Sequence, residues 1–409
     1  MPRLLLLLPT TTYRTKAFID AAMRLGVEVV AASERPSTMA QKNPAGLLTL
    51  DFLDPEKAGR EAAEFARHFP IDAVIPVDED TAVVAASIAR ALALDHNSIE
   101  SVRAAKNKFL MREALTRAGV RVPGYRQFSL DDDLAEIGKQ ISYPCVVKPV
   151  FLSTSRGVMR ADNEAGFARA VARLEKIVEK KEVARRGGAA ARLALAEEFI
   201  PGKEVAVEGL VSGGNLRVLA IFDKPDPLDG PFFEETIYVT PSRLPNGVQK
   251  EIEATTAAAA RAMGLTRGPV HAELRVNDRG AWVIEVAARA IGGLCSRALR
   301  FGDNVSLEEV ILRHALGRDE GLEREARAAG VMMIPIPRAG VLREVAGLDR
   351  AKQVDDIEDI IITAHITQQV SPPPEGASYL GFIFSRAVSP DAVEAALREA
   401  HGRLRFIIE

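Results

Sequence analysis

The chain has 409 residues, of which 47% are hydrophobic and 27% charged, and its formal net charge is −3 at pH 7. This length predicts two to four domains. The small net charge gives no reason to expect nucleic acid or an anionic membrane as a partner. The two cysteines, Cys145 and Cys295, form neither a disulfide framework nor a zinc pattern. This usage is typical of a reducing compartment, so we expect a cytoplasmic protein.

The first hundred residues alternate short apolar runs with helical patterns. The run 4–8 predicts a buried strand and not a signal peptide, because polar threonines follow it and a small-residue cleavage site is missing. No segment is long and apolar enough to span a bilayer. Further strands are predicted at 27–32 and 73–76, and helices at 13–25, 58–68 and 80–94. Strands separated by helices predict a doubly wound parallel sheet over residues 1–105.

The next unit combines strands and helices with a loop rich in hydroxyl groups. Helices are predicted at 108–118 and 163–178 and strands at 144–148 and 157–161, with a surface loop or helix extension over 179–192. The first of these strands delivers Lys148, and the loop Phe151–Val158 follows with hydroxyls, one arginine and one glycine. Such a loop can wrap phosphate oxygens. It is neither a Walker loop nor a dinucleotide fingerprint, and an ordinary hairpin is the alternative.

A second candidate nucleotide signal is the stretch Glu197–Glu204, which ends one strand, turns at Pro-Gly and starts another. Backbone groups at such a turn can read an adenine edge, and Glu204 can accept two ribose hydroxyls. A plain hairpin with solvated acids explains the stretch equally well. Strands are predicted at 194–199, 204–211, 215–223 and 237–240, with helices at 249–263 and 307–316.

The stretch 270–293 predicts a hairpin with the three-residue loop 278–280. This register places the following residues on one apolar face: Leu274, Val276, Trp282, Ile284 and Val286. The other face carries Glu273 opposite Glu285, with Arg275 nearby. Facing like charges are destabilising, and Mg²⁺ or Mn²⁺ between them would remove the repulsion. Two solvated glutamates are the alternative. Arg289, at the strand exit, can hold an anion beside the metal.

The last ninety residues predict a small strand-rich unit. Strands are expected at 331–336, 340–345, 360–366 and 381–385, with a proline-rich turn at 372–374 and a helix at 390–404.

The order of these signals resembles the ATP-grasp superfamily. The resemblance implies an α/β and α+β protein in which two subdomains clasp ATP and two acidic residues hold Mg²⁺ or Mn²⁺. It divides the chain into a pre-ATP-grasp domain (1–105), subdomain A (106–193), subdomain B (194–316) and a C-terminal α+β domain (317–409). It also implies a role for each matching residue. The implied phosphate contacts are Lys108, Lys148, Ser153, Ser155, Arg156 and Gly157. The adenine hinge is Glu197, Glu198, Phe199 and Ile200, and Glu204 is the ribose acid.

The resemblance further implies that Glu273 and Glu285 are metal ligands, and that Arg289 and Lys148 are catalytic. The substrate contacts it suggests are Glu235, Tyr238, His271, Arg289, Gly292 and Gly293. For Glu235 and Tyr238 a core strand is the alternative, and for His271 a structural, hydrogen-bonded histidine. Two departures from the family pattern are Ala287, where many members have a metal-binding asparagine, and the single glycine of the phosphate loop.

Within the superfamily, Glu285-x-x-x-Arg289 followed by Gly292-Gly293 resembles the L-amino acid ligases. We therefore expect a carboxylate–amine ligase that forms an acyl phosphate and releases ADP and phosphate, with a small-molecule acid and amine as substrates. The sequence is compatible with a homodimer. Alternatives are a bicarbonate-using carboxylase or carbamoyl-phosphate-synthase-like enzyme, and a non-catalytic nucleotide-binding regulator. A dehydrogenase is disfavoured because residues 9–12 supply no glycine for a pyrophosphate.

Overall fold

The computed structural model describes residues 1–10, 12–37, 42–318 and 321–409. The N-terminal unit is a parallel sheet of four strands in the order β3-β2-β1-β4. These strands are β1 (Arg3–Leu7), β2 (Glu28–Ser33), β3 (Leu47–Thr49) and β4 (Ala73–Pro76). The helices are α1 (Thr15–Leu25), α2 (Pro55–Ala66), α3 (Ala82–Ala91) and α4 (Ile99–Lys106). The leucines of β1 are fully buried, because helices cover both faces of a parallel sheet. The predicted doubly wound sheet is confirmed.

The second unit is an antiparallel sheet in the order β5-β8-β6-β7. Its strands are β5 (Tyr125–Ser129), β6 (Cys145–Pro149), β7 (Met159–Ala161) and β8 (Leu193–Glu198), and its helices are α5 (Lys108–Arg117), α6 (Leu134–Lys139), α7 (Glu164–Val178) and α8 (Lys181–Gly187). The segment 179–192 thus contains a short helix. Strand β8 pairs with β5 and β6, so we propose that the boundary between the two subdomains lies after Ile200, beyond β8, and not at residue 193.

The third sheet has eight strands in the order β13-β12-β9-β10-β11-β16-β20-β18. They are β9 (Lys203–Ser212), β10 (Asn215–Lys224), β11 (Ile237–Thr240), β12 (Arg267–Asn277), β13 (Gly280–Ala287), β16 (Ala328–Ile334), β18 (Ile357–Ile362) and β20 (Gly381–Ala387). The remaining strands are β14 (Arg300–Phe301), β15 (Val305–Ser306), β17 (Gly340–Ala346), β19 (Gln369–Val370) and β21 (Arg405–Ile408), and the remaining helices are α9 (Asn246–Ala262), α10 (Leu307–Ala315), α11 (Leu348–Lys352) and α12 (Pro390–Gly402). Because β11 pairs with β16, one sheet joins the proposed units 194–316 and 317–409.

The β12–β13 hairpin keeps the predicted pairing of Glu273 with Glu285 but reaches it in a different way. The loop has two residues, since Asn277 pairs with Gly280, and the register shifts between Glu273 and Leu274. The shift leaves Ile284 as the extra residue of a β-bulge.

The bulge changes the side-chain faces near the loop. Ala281 and Val283 lie opposite Val276 and Leu274 and join their buried cluster. Trp282 lies opposite Arg275, and Ile284 lines a cleft. The predicted placement of Trp282 and Ile284 on the apolar face was therefore wrong.

Candidate active site

A cleft with a cavity volume of about 640 Å³ opens between the N-terminal unit, the second sheet and the eight-stranded sheet. Every predicted site residue except Gly157 lines this cleft. The residues come from distant parts of the sequence, because they lie on α5, β6, β8, β9, β11, β12 and β13 and in the loops between these elements.

Lys148 lies at the buried end of the cleft in an ion pair with Glu197. Its ammonium is 2.5 Å from one Glu197 oxygen, and the guanidinium of Arg112 lies 2.9 Å from the other. Burial lowers the pKa of Lys148 to about 8, although Glu197 acts in the opposite direction. Burial alone would raise the pKa of Glu197, but Arg112 and Lys148 hold it below its ordinary value. Glu197 was predicted at the adenine hinge, and here its carboxylate orients Lys148.

Lys108 links the hydroxyl-rich loop to the metal-ligand candidate Glu285. Its ammonium donates to the Leu152 carbonyl at 2.8 Å and lies 3.4 Å from a Glu285 oxygen. Its side chain is only 6% exposed. A buried ammonium in this place faces any anion that binds between the loop and the hairpin.

The loop 151–157 turns tightly beside the cleft. Thr154, Ser155 and Gly157 all have positive φ values, of 59°, 52° and 76°, and the Arg156 amide donates to the Ser153 carbonyl at 3.3 Å. Ser153, Ser155 and Arg156 line the cleft, where hydroxyls and a guanidinium can bind phosphate oxygens.

Gly157 does not face the cleft; a Cβ there would lie 2.9 Å from Leu174. Its amide donates to the Pro374 carbonyl at 2.9 Å, so a C-terminal loop braces the loop 151–157.

The hinge residues form the wall beside this loop. The Glu198 and Phe199 amides donate to the carbonyls of Gly124 and Pro144, and the Ile200 carbonyl accepts from Arg275 at 2.8 Å. The Phe199 ring lies under the Arg160 guanidinium, 4.2 Å from its centroid. The Arg275 guanidinium also lies over this ring, 5.0 Å from its centroid, and Phe199 and Ile200 line the cleft, so the wall is partly apolar.

Three carboxylates surround Lys224, a residue that the sequence did not single out. Its ammonium lies 2.8 Å from Glu204 and 3.4 Å from Glu273, and it also pairs with Glu235. Burial by itself lowers the pKa of Lys224, but these carboxylates raise it well above its ordinary value. Burial and Glu273 raise the pKa of Glu235 to about 7. The predicted ribose acid Glu204 also accepts from Arg275 at 2.9 Å.

His271 bridges two carboxylates. Its Nδ1 contacts the buried Glu208, and its Nε2 lies 3.4 Å from Glu273. Burial by itself lowers the pKa of His271, but Glu208 outweighs burial and raises that pKa to about 9. Both ring nitrogens face carboxylates, which favours the structural interpretation over a direct substrate contact.

Arg289 is anchored from the N-terminal unit. Its guanidinium donates to Glu79 at 3.0 Å and to the Ala290 carbonyl at 3.1 Å. Burial opposes ionisation, but Glu79 and Glu285 outweigh it and raise the pKa of Arg289. In the sequence Glu79 belonged to an acidic turn with no assigned role. No local sequence signal linked Glu79 to Arg289, because 210 residues separate them.

Glu273 and Glu285 can hold a divalent metal. They face each other across β12 and β13, and their side chains keep 19% and 21% of their surface exposed. Carboxylate oxygens are the ligands that Mg²⁺ and Mn²⁺ prefer. Oxygens of Glu204, Glu235 and Glu273 also lie within 4.8 Å of one another. Glu273 belongs to both groups, and the Lys224 ammonium lies among the three acids of the second one.

Three family models match this chain. The ATP-grasp domain model matches residues 141–298, the ATP-grasp N-terminal domain model 19–96, and the L-amino acid ligase C-terminal domain 2 model 332–409. The crystal structure of an L-amino acid ligase from Bacillus licheniformis superposes with a TM-score of 0.84 at 28% identity, covering 100% of this chain and 99% of that one.

Two curated ligases also match. Alanine–anticapsin ligase from Bacillus subtilis is 28% identical over 255 residues, which are 58% of this chain and 52% of the relative. Dapdiamide A synthase from Enterobacter agglomerans is 27% identical over 229 residues, which are 55% of this chain and 52% of the relative. The chain spans about half the length of these two ligases.

The chain belongs to the ATP-grasp superfamily. Within it, the C-terminal model and the solved ligase place the chain with the L-amino acid ligases. The family predicted from the sequence is confirmed. Among the described residues, no helix is both long and apolar enough to cross a membrane.

Proposed function

We propose that the protein is an ADP-forming carboxylate–amine ligase that activates a small acid as an acyl phosphate and couples it to a small amine. The observation that carries this proposal is the cleft itself. It brings Lys108, Lys148 and Arg289 around the paired carboxylates Glu273 and Glu285. The named relatives are ligases that join amino acids or related acids and amines.

The first step would transfer a phosphoryl group. A carboxylate oxygen of the acid attacks the γ-phosphorus of ATP, the bond to the β-phosphate oxygen breaks, and ADP leaves. Lys108, Lys148 and the side chains of Ser153, Ser155 and Arg156 would hold the phosphates in line for this attack. Positioning and charge stabilisation supply most of the catalysis in such a transfer.

The second step would form the carbon–nitrogen bond. The amine attacks the acyl carbon, the tetrahedral intermediate collapses, phosphate leaves and the nitrogen loses a proton. Arg289 would stabilise the negative charge on the acyl phosphate and the intermediate, with its guanidinium held by Glu79. The loop 151–157 would exclude water that otherwise hydrolyses the acyl phosphate.

Mg²⁺ is the metal that we propose for Glu273 and Glu285, where it would neutralise charge on the ATP phosphates. With Ala287 in place of a third ligand, the two glutamates and the phosphates make up the proposed ligand set. We further propose Glu197–Ile200 as the adenine wall and Glu204 as the ribose acid. A cytoplasmic location and a homodimer stay predictions.

The identity of the nucleotide that is released from ATP tests the reaction class. The protein is incubated with MgATP and pairs of candidate acids and amines, and nucleotides are separated by chromatography. We expect ADP and phosphate in equal amounts, and no turnover by Glu285→Ala. AMP as the stoichiometric product would contradict acyl-phosphate chemistry. ADP release that needs only bicarbonate would favour a carboxylase, and ATP binding without turnover of any pair would favour a regulator.

A further inference from the structure

The end of the cleft beyond Arg289 is lined by aromatic and apolar side chains. We name this group the aromatic subsite, and its members are Tyr13, Ile291, Cys295, Met333, Tyr379 and Phe382. The Phe382 ring centroid lies 6.2 Å from that of Tyr13 and 6.2 Å from that of Tyr379, in edge-to-face contacts. Aromatic rings in this arrangement form a preformed apolar surface.

The subsite is adjacent to the reacting groups. Ile291 follows Arg289 by two residues, and Tyr238, which contacts the Lys224 ammonium through its ring, lines the same cleft. Tyr13 precedes α1, whereas Met333 and Phe382 lie on β16 and β20. Three parts of the chain therefore converge on one apolar patch beside the proposed acyl phosphate.

Two glycines leave this end of the cleft open. A Cβ on Gly292 would meet no atom within 4 Å, whereas one on Gly293 would lie 3.1 Å from the Phe382 ring. Gly293 also has a φ of +60°, which side chains rarely adopt. Tyr13 is 45% exposed, so its ring lies at the rim. The space beside Gly292 can accept a large side chain.

Carboxylates border the subsite. Asp78 and Glu235 line the same cleft as Tyr13 and Tyr379. Glu235 pairs with Lys224, whereas Asp78 can repel an acidic side chain and accept hydrogen bonds from the ammonium group of an amino acid.

We propose that the aromatic subsite binds the side chain of a substrate amino acid and selects a bulky apolar one, of the size of leucine, methionine or phenylalanine. This inference rests on the proposed ligase function. Tyr13 and Tyr379 keep part of their surface exposed, whereas Phe382 is already buried. A large apolar side chain would cover the exposed part of the two tyrosines without leaving a buried charge unpaired, and a small one would leave it in water.

A substrate panel with a chemical trap tests the proposal. L-Leucine, L-methionine, L-phenylalanine, L-alanine, L-aspartate and L-lysine are each supplied with MgATP, once with hydroxylamine and once with a second amino acid. Hydroxylamine captures an acyl phosphate as a hydroxamate, so it shows whether the bulky residue is the acid or the amine. We expect kcat/KM for at least one bulky apolar amino acid to exceed that for alanine by about tenfold or more.

Two matched variants test whether the aromatic subsite causes the preference for bulky apolar amino acids. Gly292→Leu puts a side chain into the open space, so the ratio of kcat/KM for bulky over small amino acids should fall by about tenfold or more. Gly247→Leu is the control. Gly247 is exposed, and a Cβ there also meets no atom within 4 Å, so the preference should stay as in the wild type.

The outcomes separate this inference from the function on which it rests. ADP release that is fastest with alanine or aspartate would overturn the subsite and leave the ligase reaction intact. An unchanged preference in Gly292→Leu would also overturn it. No ADP release with any pair would overturn the proposed function.

Discussion

A carboxylate oxygen of Glu79 lies 3.0 Å from the guanidinium of Arg289, although 210 residues separate them in sequence. Glu79 follows β4 in the N-terminal unit, and Arg289 follows β13 at the edge of the eight-stranded sheet. The N-terminal unit therefore does more than cover one side of the cleft. It holds in place the guanidinium that we propose for the acyl phosphate.

Replacing Glu79 tests this positioning role. In Glu79→Gln, Arg289 still donates to the Ala290 carbonyl but loses its charged partner. We expect kcat to fall on the order of tenfold, because that factor corresponds to the free energy of one charge-assisted hydrogen bond. ATP affinity, measured by calorimetry with a non-hydrolysable analogue, should stay unchanged. Glu56→Gln removes the exposed ion pair with Arg90 in the same unit and serves as the control. Wild-type kcat in Glu79→Gln would contradict the assignment.

Replacing Glu285 and replacing Arg289 should have different effects on nucleotide binding and turnover. Glu285→Ala removes a proposed metal ligand, so magnesium-dependent binding of the ATP analogue and turnover should be lost together. Arg289→Ala should leave nucleotide binding nearly intact, while turnover falls on the order of a hundredfold or more, the scale for removing one donor to a developing oxyanion. Arg289→Lys should restore little, because an ammonium cannot present two parallel donors. Equal losses of ATP affinity in both alanine variants would show that Arg289 contacts the nucleotide instead.

ATP affinity should fall as the pH rises through about 8. The Lys148 pKa of about 8 in the free protein means that its ammonium loses its proton above this pH, and a neutral amine attracts phosphate far less. The dissociation constant of the ATP analogue, measured from pH 7 to 9.5, should therefore rise and approach tenfold per pH unit. In Lys148→Arg this dependence should disappear, since arginine stays protonated. A flat profile in the wild type would remove Lys148 from the phosphate site.

His271 should make stability depend on pH. Its pKa rises from 6.5 in the unfolded chain to about 9 in the fold, so its contribution is fully present below pH 6.5 and is lost as the pH rises through 9. The shift corresponds to about 3 kcal/mol. We expect the difference in unfolding free energy between wild type and His271→Asn to be smaller at pH 9.5 than at pH 6.5. Urea titrations at both pH values measure it. An equal difference at both would mean that Glu208 does not hold a charged imidazole.

Local sequence patterns were sufficient to predict several parts of the site. The alternation of apolar residues and acids in 270–287 predicted Glu273 opposite Glu285, and the strand ending in Lys148 predicted a site lysine, which lines the cleft. These features depend on neighbours in sequence, because a hairpin pairs residues a few positions apart and a side-chain period of two sets its faces. The order of such motifs was enough to indicate the family.

Other parts were decided only when distant segments came together. Lys224 showed no local signal, because its three carboxylates come from β9, β12 and the stretch before β11. The same holds for Glu79 with Arg289, for Glu208 with His271, and for the rings of Tyr13, Tyr379 and Phe382. The bulge at Ile284 also escaped prediction, because the sequence pattern fits either a three-residue loop or a shorter loop with one extra residue. Charge compensation and ring packing act through space, so residues hundreds of positions apart acquire their roles only in the folded chain.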